Sequence, residues 1–317
     1  MAKRKPYRII LYFFFRFVAG LLYLLPRPVL MKLAGGLGEF AYHIVARQRE
    51  KALDNLRKAF SREKTEHEIR ELAKSMFKHI GFTAAEVLQF PKLDAKRIEE
   101  LVEATEAVRV YNELLSEGKG LISITAHIGN FELLAGVFGV KGYHGAVLAR
   151  RIYYERYNRW IVGLRSGMNV RTIYRDRASR EILDLLSRNE IIGLLPDQDI
   201  DSLKGVFVNF FGRPAYTPVA PIRLALASGA PILVNFLIRK PGGRYQLVIG
   251  EVIRPVVETT RDETVQICTE KWMACFERVI RQYPEQWAWM HDRWKTQPEQ
   301  KSESVLDSEK HGSLISG

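Results

Sequence analysis

The chain has 317 residues, 47% hydrophobic and 26% charged, which supplies a large core and excludes wholesale disorder. Its two cysteines exclude a disulfide scaffold, since Cys268 and Cys275 sit seven positions apart in an expected helix, about 10 Å along its axis and too far to bridge. The net charge is +12, of which residues 1–58, with twelve basic and three acidic side chains, hold +9; such a concentration asks for nucleic acid, anionic lipid or an acidic protein.

The first element decides among these. Residues 9–25, IILYFFFRFVAGLLYLL, carry a single charge, Arg16, and run into Pro26 and Pro28. As a helix they span about 26 Å, against a hydrocarbon core of roughly 30 Å. Lys3, Arg4, Lys5 and Arg8 precede the run, and Arg27 and Lys32 follow it. Nucleic-acid arms are not built this way, so no nucleic acid is expected; a membrane anchor facing anionic headgroups is. A core helix and a signal peptide are the competing readings, and a small-x-small cleavage site is not convincing. Whether the anchor spans or lies in the interface stays open, because Arg16 must snorkel or meet a phosphate.

From residue 29 to 60 apolar positions recur at three and four, as in Leu30, Leu33, Ala34, Leu37, Phe40, Ala41 and Ile44, predicting helix. Ser61 reads as an N-cap or turn, and a long helix over 65–88 ends before Pro91. At Gly118-Lys119-Gly120 the character changes. Strands are expected at 121–125, 146–149, 170–173, 191–195, 232–238 and 245–249. Helices are expected at 131–138, 153–165, 179–187, 218–227 and 262–282, with a loop after 195. Short apolar strands between amphipathic helices predict an α/β fold with a largely parallel sheet covered on both faces. The expected organisation is an anchor at 1–28, a helical region at 29–117, an α/β core at 118–298 and a disordered polar tail at 299–317.

Within Ile124-Thr-Ala-His-Ile-Gly-Asn-Phe-Glu132, a strand delivers the chain to His127, Gly129 turns it, and Asn130 stands where a helix N-cap belongs. Glu132 then falls in the first helical turn, within reach of the loop holding His127. A histidine at the carboxyl end of a strand, beside a carboxylate and free helix-start amides, has the ingredients of a general base with oxyanion donors. Residue pattern alone reads equally well as a capped helix with a surface histidine.

His-x4-Glu resembles the signature of the glycerolipid acyltransferase superfamily, and AHIGNFE is similar to its late lipid A acyltransferase branch, the lauroyl and myristoyl transferases. Further blocks carry the resemblance to about residue 297: Arg165-Ser-Gly167 with Val170 and Ile173, GLLPDQD at 193–199, Gly205 to Val208, Phe210 to Ala215, and the closing YPEQW, Trp289 and HDRWK. The resemblance implies His127 as general base, with Glu132 orienting it. Arg165 and Asp197 are implied as substrate-binding or organising residues, with Gln198 a weaker candidate and Asn130 more a cap than a ligand. It also implies an acyl carrier protein or coenzyme A thioester as donor, with no metal or redox cofactor. The implied acceptor is a hydroxyl of a Kdo-bearing lipid A precursor, and the implied place is the cytoplasmic face of a Gram-negative inner membrane. Another glycolipid or lysophospholipid acceptor is the near alternative, and a non-catalytic membrane lipid-binding protein the distant one. Gly35-Gly-Leu-Gly38 is no phosphate loop, as no Lys-Ser/Thr follows. The Trp287, Trp289 and Trp294 cluster reads as fold closure or interfacial contact.

Overall fold

A computed structural model describes residues 7–175 and 178–298. Lys3, Arg4, Lys5 and the expected disordered tail at 299–317 lie outside the described residues.

Four helices come first: α1 (Tyr7–Leu24), α2 (Arg27–Ile44), α3 (Ala46–Phe60) and α4 (Glu66–Gln89). Pro26 breaks α1 from α2. Ser61 closes α3, and Thr65 opens α4 through a capping box with Glu68. Beyond Pro91 come α5 (Ala95–Leu101), β1 (Val102–Glu103) and α6 (Thr105–Leu115).

The α/β core then runs β2 (Leu121–Ile124), α7 (Phe131–Val140), β3 (Gly145–Ala149), α8 (Glu155–Ser166), β4 (Arg171–Tyr174), α9 (Ala178–Ser187) and β5 (Ile191–Leu194). After these come β6 (Gly205–Phe210), β7 (Arg213–Pro218), α10 (Ala220–Ser228), β8 (Ile232–Arg239), β9 (Tyr245–Ile253) and α11 (Arg261–Gln282). Seven strands form one sheet in the order β1-β9-β8-β2-β5-β3-β4, with every pairing parallel except β8 with β9. This is the expected mostly parallel, helix-flanked sheet, with the two-residue β1 as its edge.

The β6–β7 hairpin is a correction to the expected loop after 195. β7 holds Pro214 and Pro218, and a two-stranded ribbon tolerates them because its outer edge needs no donors. Phe211 (φ 52°) and Gly212 (φ 71°) make the turn, a geometry that matches the strand twist. Phe211 bears the left-handed backbone because its N–H donates to Glu277 Oε2 (2.6 Å) and its ring is buried beside Phe60 and Trp289.

On one sheet face Leu53, Leu56 and Phe60 of α3 and Met76 and Phe77 of α4 share a core with Ile122, Ile124, Phe236, Trp272 and Phe276. On the other, Ile98, Ala107 and Tyr111 pack with Leu133, Val137 and Leu233. Trp287 and Trp289 are fully buried and Trp294 nearly so, so that cluster is fold closure rather than surface. Cys268 and Cys275 are buried free thiols.

Of α1 only Ala19 is buried. Ile10, Phe13, Phe14, Phe17, Leu21 and Leu24 stand out from it in one helical stripe, Ile10 72% exposed. The stripe does not end with α1. Val29, Leu33, Leu37, Phe40 and Ile44 continue it along α2, where Leu30, Ala34 and Tyr42 turn inward.

Candidate active site

β2 and β5 are parallel neighbours, with Ile124 opposite Leu194. His127 lies three residues past the first and Asp197 three past the second, so equal offsets bring them side by side above the carboxyl edge. The connection from β2 leads past β5 to β3, while that from β5 leads past β2 to β8. Adjacent strands whose connections leave in opposite directions open a crevice between them.

In that crevice the carboxylate on the imidazole is that of Asp197. His127 Nδ1 lies 2.7 Å from Asp197 Oδ1, and Asp197 Oδ2 accepts from the His127 backbone N–H (2.8 Å) and from Trp287 Nε1 (2.9 Å). A carboxylate only accepts, so Nδ1 carries the proton and Nε2 holds the lone pair. Burial pulls the His127 pKa down, but the Asp197 charge and hydrogen bond outweigh it and the net shift is upward. Burial would likewise raise Asp197; the imidazole holds it well below the usual carboxylate range. Asp197 is 1% exposed and His127 21%, so the ring edge, not the carboxylate, meets solvent.

Glu132 is placed otherwise than expected. It forms a two-pronged ion pair with Arg165, Nε to Oε2 at 3.0 Å and Nη2 to Oε1 at 2.7 Å. The expected partnership of Glu132 with His127 is thus corrected: a spacing of five residues gives proximity, but Arg165, near the end of α8, takes both carboxylate oxygens. Asn130 caps α7 through Leu133 N (2.9 Å) and donates to Glu86 Oε2 (2.8 Å). It is fully buried, and its polar atoms are spent there rather than on the cavity. Gln198 Nε2 lies 3.3 Å from His127 Nε2 and 3.1 Å from His291 Nε2. An amide NH2 only donates, so both ring nitrogens accept. Burial first, then repulsion by His127, pushes the His291 pKa down to about 4, keeping it neutral.

His291 and Trp287 belong to the site without any signal in the sequence that marks them for it. They lie more than 150 positions from His127 with no local pattern linking them. Asn55 Nδ2 donates to the carbonyls of Trp289 (2.7 Å) and His291, Ala288 N donates to His127 O (2.9 Å), and Gly129 N donates to Gln286 O (3.1 Å). The closing segment therefore clamps the histidine loop. Gly129 itself has φ +60°, and a Cβ there would meet Leu237 O at 2.0 Å. Gly129→Ala is accordingly expected to lower kcat by roughly 10²-fold through displacement of His127, alongside a measurable fall in Tm.

His127, Glu132, Arg165 and Gln198 open on a cavity of about 300 Å³, whose other cations among the described residues are Arg150 and Arg175. Phe131, Ala135, Val147, Val170 and Leu194 form its inner wall and also line a smaller apolar cavity of about 60 Å³ toward Phe138 and Gly139. A polar mouth holding an imidazole and arginines thus backs onto a greasy interior.

The family description of the bacterial lipid A biosynthesis acyltransferases matches residues 2–296. The chain belongs to that family. It is 28% identical over 281 residues to the lipid A biosynthesis lauroyltransferase of Escherichia coli K12, covering 87% of this chain and 88% of the relative. To the E. coli K12 lipid A biosynthesis palmitoleoyltransferase it is 25% identical, covering 89% and 91%. A phosphatidylinositol mannoside acyltransferase of Mycolicibacterium smegmatis is 25% identical, with coverage of 66% and 67%. Family membership agrees with the resemblance carried by AHIGNFE and the later blocks, and the matched span takes in every residue of the site described above.

Proposed function

We propose that the protein transfers a fatty acyl chain from an acyl carrier protein thioester to a hydroxyl of a Kdo-bearing lipid A precursor. The observation that carries this reading is the His127–Asp197 pair at the polar mouth of an apolar cavity. His127 Nε2 takes the acceptor's proton as the hydroxyl oxygen attacks the thioester carbonyl. The C–S bond then breaks, and the imidazolium returns the proton to the departing thiolate, leaving an ester and a free thiol. Asp197 fixes the tautomer and stabilises the imidazolium. The Gln198 amide, which rests on Nε2, has to yield that position to the acceptor, and the N–H so freed is available to the oxyanion while the other stays on His291. Arg165, oriented by Glu132, joins Arg150 and Arg175 in holding phosphate of the acceptor or of the donor's phosphopantetheine arm. The acyl chain lies along Phe131, Ala135 and Val147 toward the smaller cavity. The thioester is the sole co-substrate in this scheme.

The exposed stripe shared by α1 and α2 supports a place on a membrane surface, the cytoplasmic face of the inner membrane of a Gram-negative cell. A stripe that continues past Pro26 into a second helix, with Arg16 in its middle, favours lying in the interface over spanning. The basic surface also suits an acidic carrier protein.

Mass spectrometry of lipid A from cells lacking and overexpressing the protein tests the acceptor. A mass change of one acyl chain in lipid A supports the reading, and a change confined to phospholipid or another glycolipid replaces it. The pH profile tests the base. Because the His127 pKa is raised above 6.5, the ring is protonated and idle below that value, so kcat/KM is expected to fall on acidification through an apparent pKa above 6.5.

A further inference from the structure

α8 has two working faces. Asn158, Ile161, Val162 and Arg165 line the catalytic cavity. Arg156, Arg159, Trp160 and Gly163 line a separate groove of about 820 Å³ between α8 and α1. Both sets follow the i, i+3, i+4, i+7 pattern of one helix face, and an offset of two residues turns them roughly 200° apart. The helix is thus the wall between the acyl-transfer cavity and this groove.

Among the described residues the charged side chains lining the groove are Arg16, Arg156 and Arg159, and no carboxylate lines it. Aromatic rings hold the guanidinium groups: Arg16 sits 5.2 Å from the Trp160 ring centre, and Arg156 sits 5.9 Å from those of Tyr12 and Phe13. Among the described residues neither Arg16 nor Arg156 reaches a carboxylate, and Arg159 meets Glu155 only at 3.8 Å. Three cations gathered around one cavity, with only the long Arg159–Glu155 contact to offset them among the described residues, repel one another and leave the forked donors of Arg16 and Arg156 unspent. The apolar stripe of α1, with Phe14, Phe17 and Leu21, flanks the same groove.

We propose that the α1–α8 groove binds the phosphate headgroup of an anionic bilayer phospholipid, with Arg16, Arg156 and Arg159 as its ligands. The lipid's chains follow the exposed face of α1 into the bilayer. This accounts for the one charge in the apolar run: Arg16 turns to a headgroup instead of into hydrocarbon. A phospholipid suits the groove better than an acidic protein, because the exposed arginines stand directly beside the hydrocarbon-facing side chains of α1, with Arg16 and Arg156 against aromatic rings. It also suits it better than the acyl acceptor, which would have to pass around α8 to present a hydroxyl at His127. A bound headgroup ties Arg156 and Arg159 to Arg16 across the groove, which fixes α8 and with it the Arg165–Glu132 pair. The source of the lipid rests on the membrane-surface reading above; the binding itself does not require acyl transfer.

The test uses the full chain and a combined Arg16→Gln, Arg156→Gln, Arg159→Gln variant, with Arg156→Gln alone as a second variant in case the triple does not fold. Flotation is measured with phosphatidylcholine vesicles and with equal mixtures of phosphatidylcholine and phosphatidylglycerol, and soluble short-chain phosphatidylglycerol is titrated by calorimetry. Expected are unchanged binding to neutral vesicles and one short-chain lipid per chain. Anionic-vesicle affinity should fall about fivefold for the single variant and on the order of 10²-fold for the triple. Equal anionic preference in wild type and variants overturns the proposal. So does an equal loss when Arg70, Arg97 and Arg109 are changed to Gln instead, which would make the attraction diffuse. Competition by inorganic phosphate as strong as by the lipid reduces the groove to a phosphate site. Lost affinity for acyl carrier protein with lipid binding intact assigns it to the donor. Failure of acyl transfer in every form, with this binding pattern retained, would count against the proposed reaction and not against the groove.

Discussion

The His127→Ala protein is expected to retain its fold and vesicle binding while kcat falls by roughly 10²–10⁴-fold, the range supplied by a positioned general base. Asp197→Asn should follow close behind, with a signature of its own. The raised pKa of His127 comes from the Asp197 charge opposing burial. Without that charge burial is opposed only by the weaker pull of Glu132, so the acid limb of the pH profile should move down. The variant thus has more neutral imidazole at neutral pH and still turns over more slowly, because the imidazolium formed in the transition state has lost its counter-charge. Glu132→Gln should move the limb down by less, since the Glu132 charge also raises His127 but more weakly than Asp197 does. It and Arg165→Gln should each cost about 10–10²-fold in kcat/KM, and the double variant hardly more than either, since the two side chains act as one ion pair. A Glu132→Gln variant that shifts the acid limb as Asp197→Asn does would return the imidazole's partnership to Glu132.

Glu86→Gln is expected to destabilise the protein by about 3–5 kcal/mol, the usual cost of leaving a buried cation unpaired, read as a fall in Tm on the order of 10 °C. Glu86 on α4 is 1% exposed and gathers Arg239 (Nη1 and Nη2, both 2.8 Å), Arg27 (2.5 Å), Asn130 (2.8 Å) and the Tyr245 hydroxyl. Burial would raise its pKa, but Arg239 and Arg27 prevail and hold it down. With the folded value depressed, the stabilisation is full above 4.5 and is lost as pH falls through the folded pKa. The gap between wild type and variant should therefore close in acid. Chemical denaturation at neutral pH and near pH 3 measures it, and a constant gap would mean that shape rather than charge is at stake. Because Asn130 caps the helix behind His127, the variant should also lose activity before it unfolds.

Local pattern was enough for what is governed by neighbours along the chain. Short apolar runs and periods of three to four place the strands and helices of the core to within a few residues, since central strands are buried on both faces and helices on one. The apolar run around Arg16 announced its surface, and the stretch from Ile124 to Glu132 announced a strand, a turn and a cap ending on a histidine. Asn130 and Gly129 were legible because capping and positive φ are local demands.

Which carboxylate serves the histidine was not a local matter. Glu132 is five residues away and Asp197 seventy, yet the parallel register of β2 with β5 sets Asp197 against the ring and leaves Glu132 to an arginine arriving from α8. The β6–β7 ribbon carries two prolines whose missing donors matter only at a paired edge. His291 and Trp287 joined the site because the closing segment folds back onto the histidine loop. The arginine groove exists only because α1 lies alongside α8. Sequence spacing sets which residues can meet along one element; sheet order and helix packing choose among partners on different elements, because hydrogen bonds and ion pairs depend on distance in space and not along the chain.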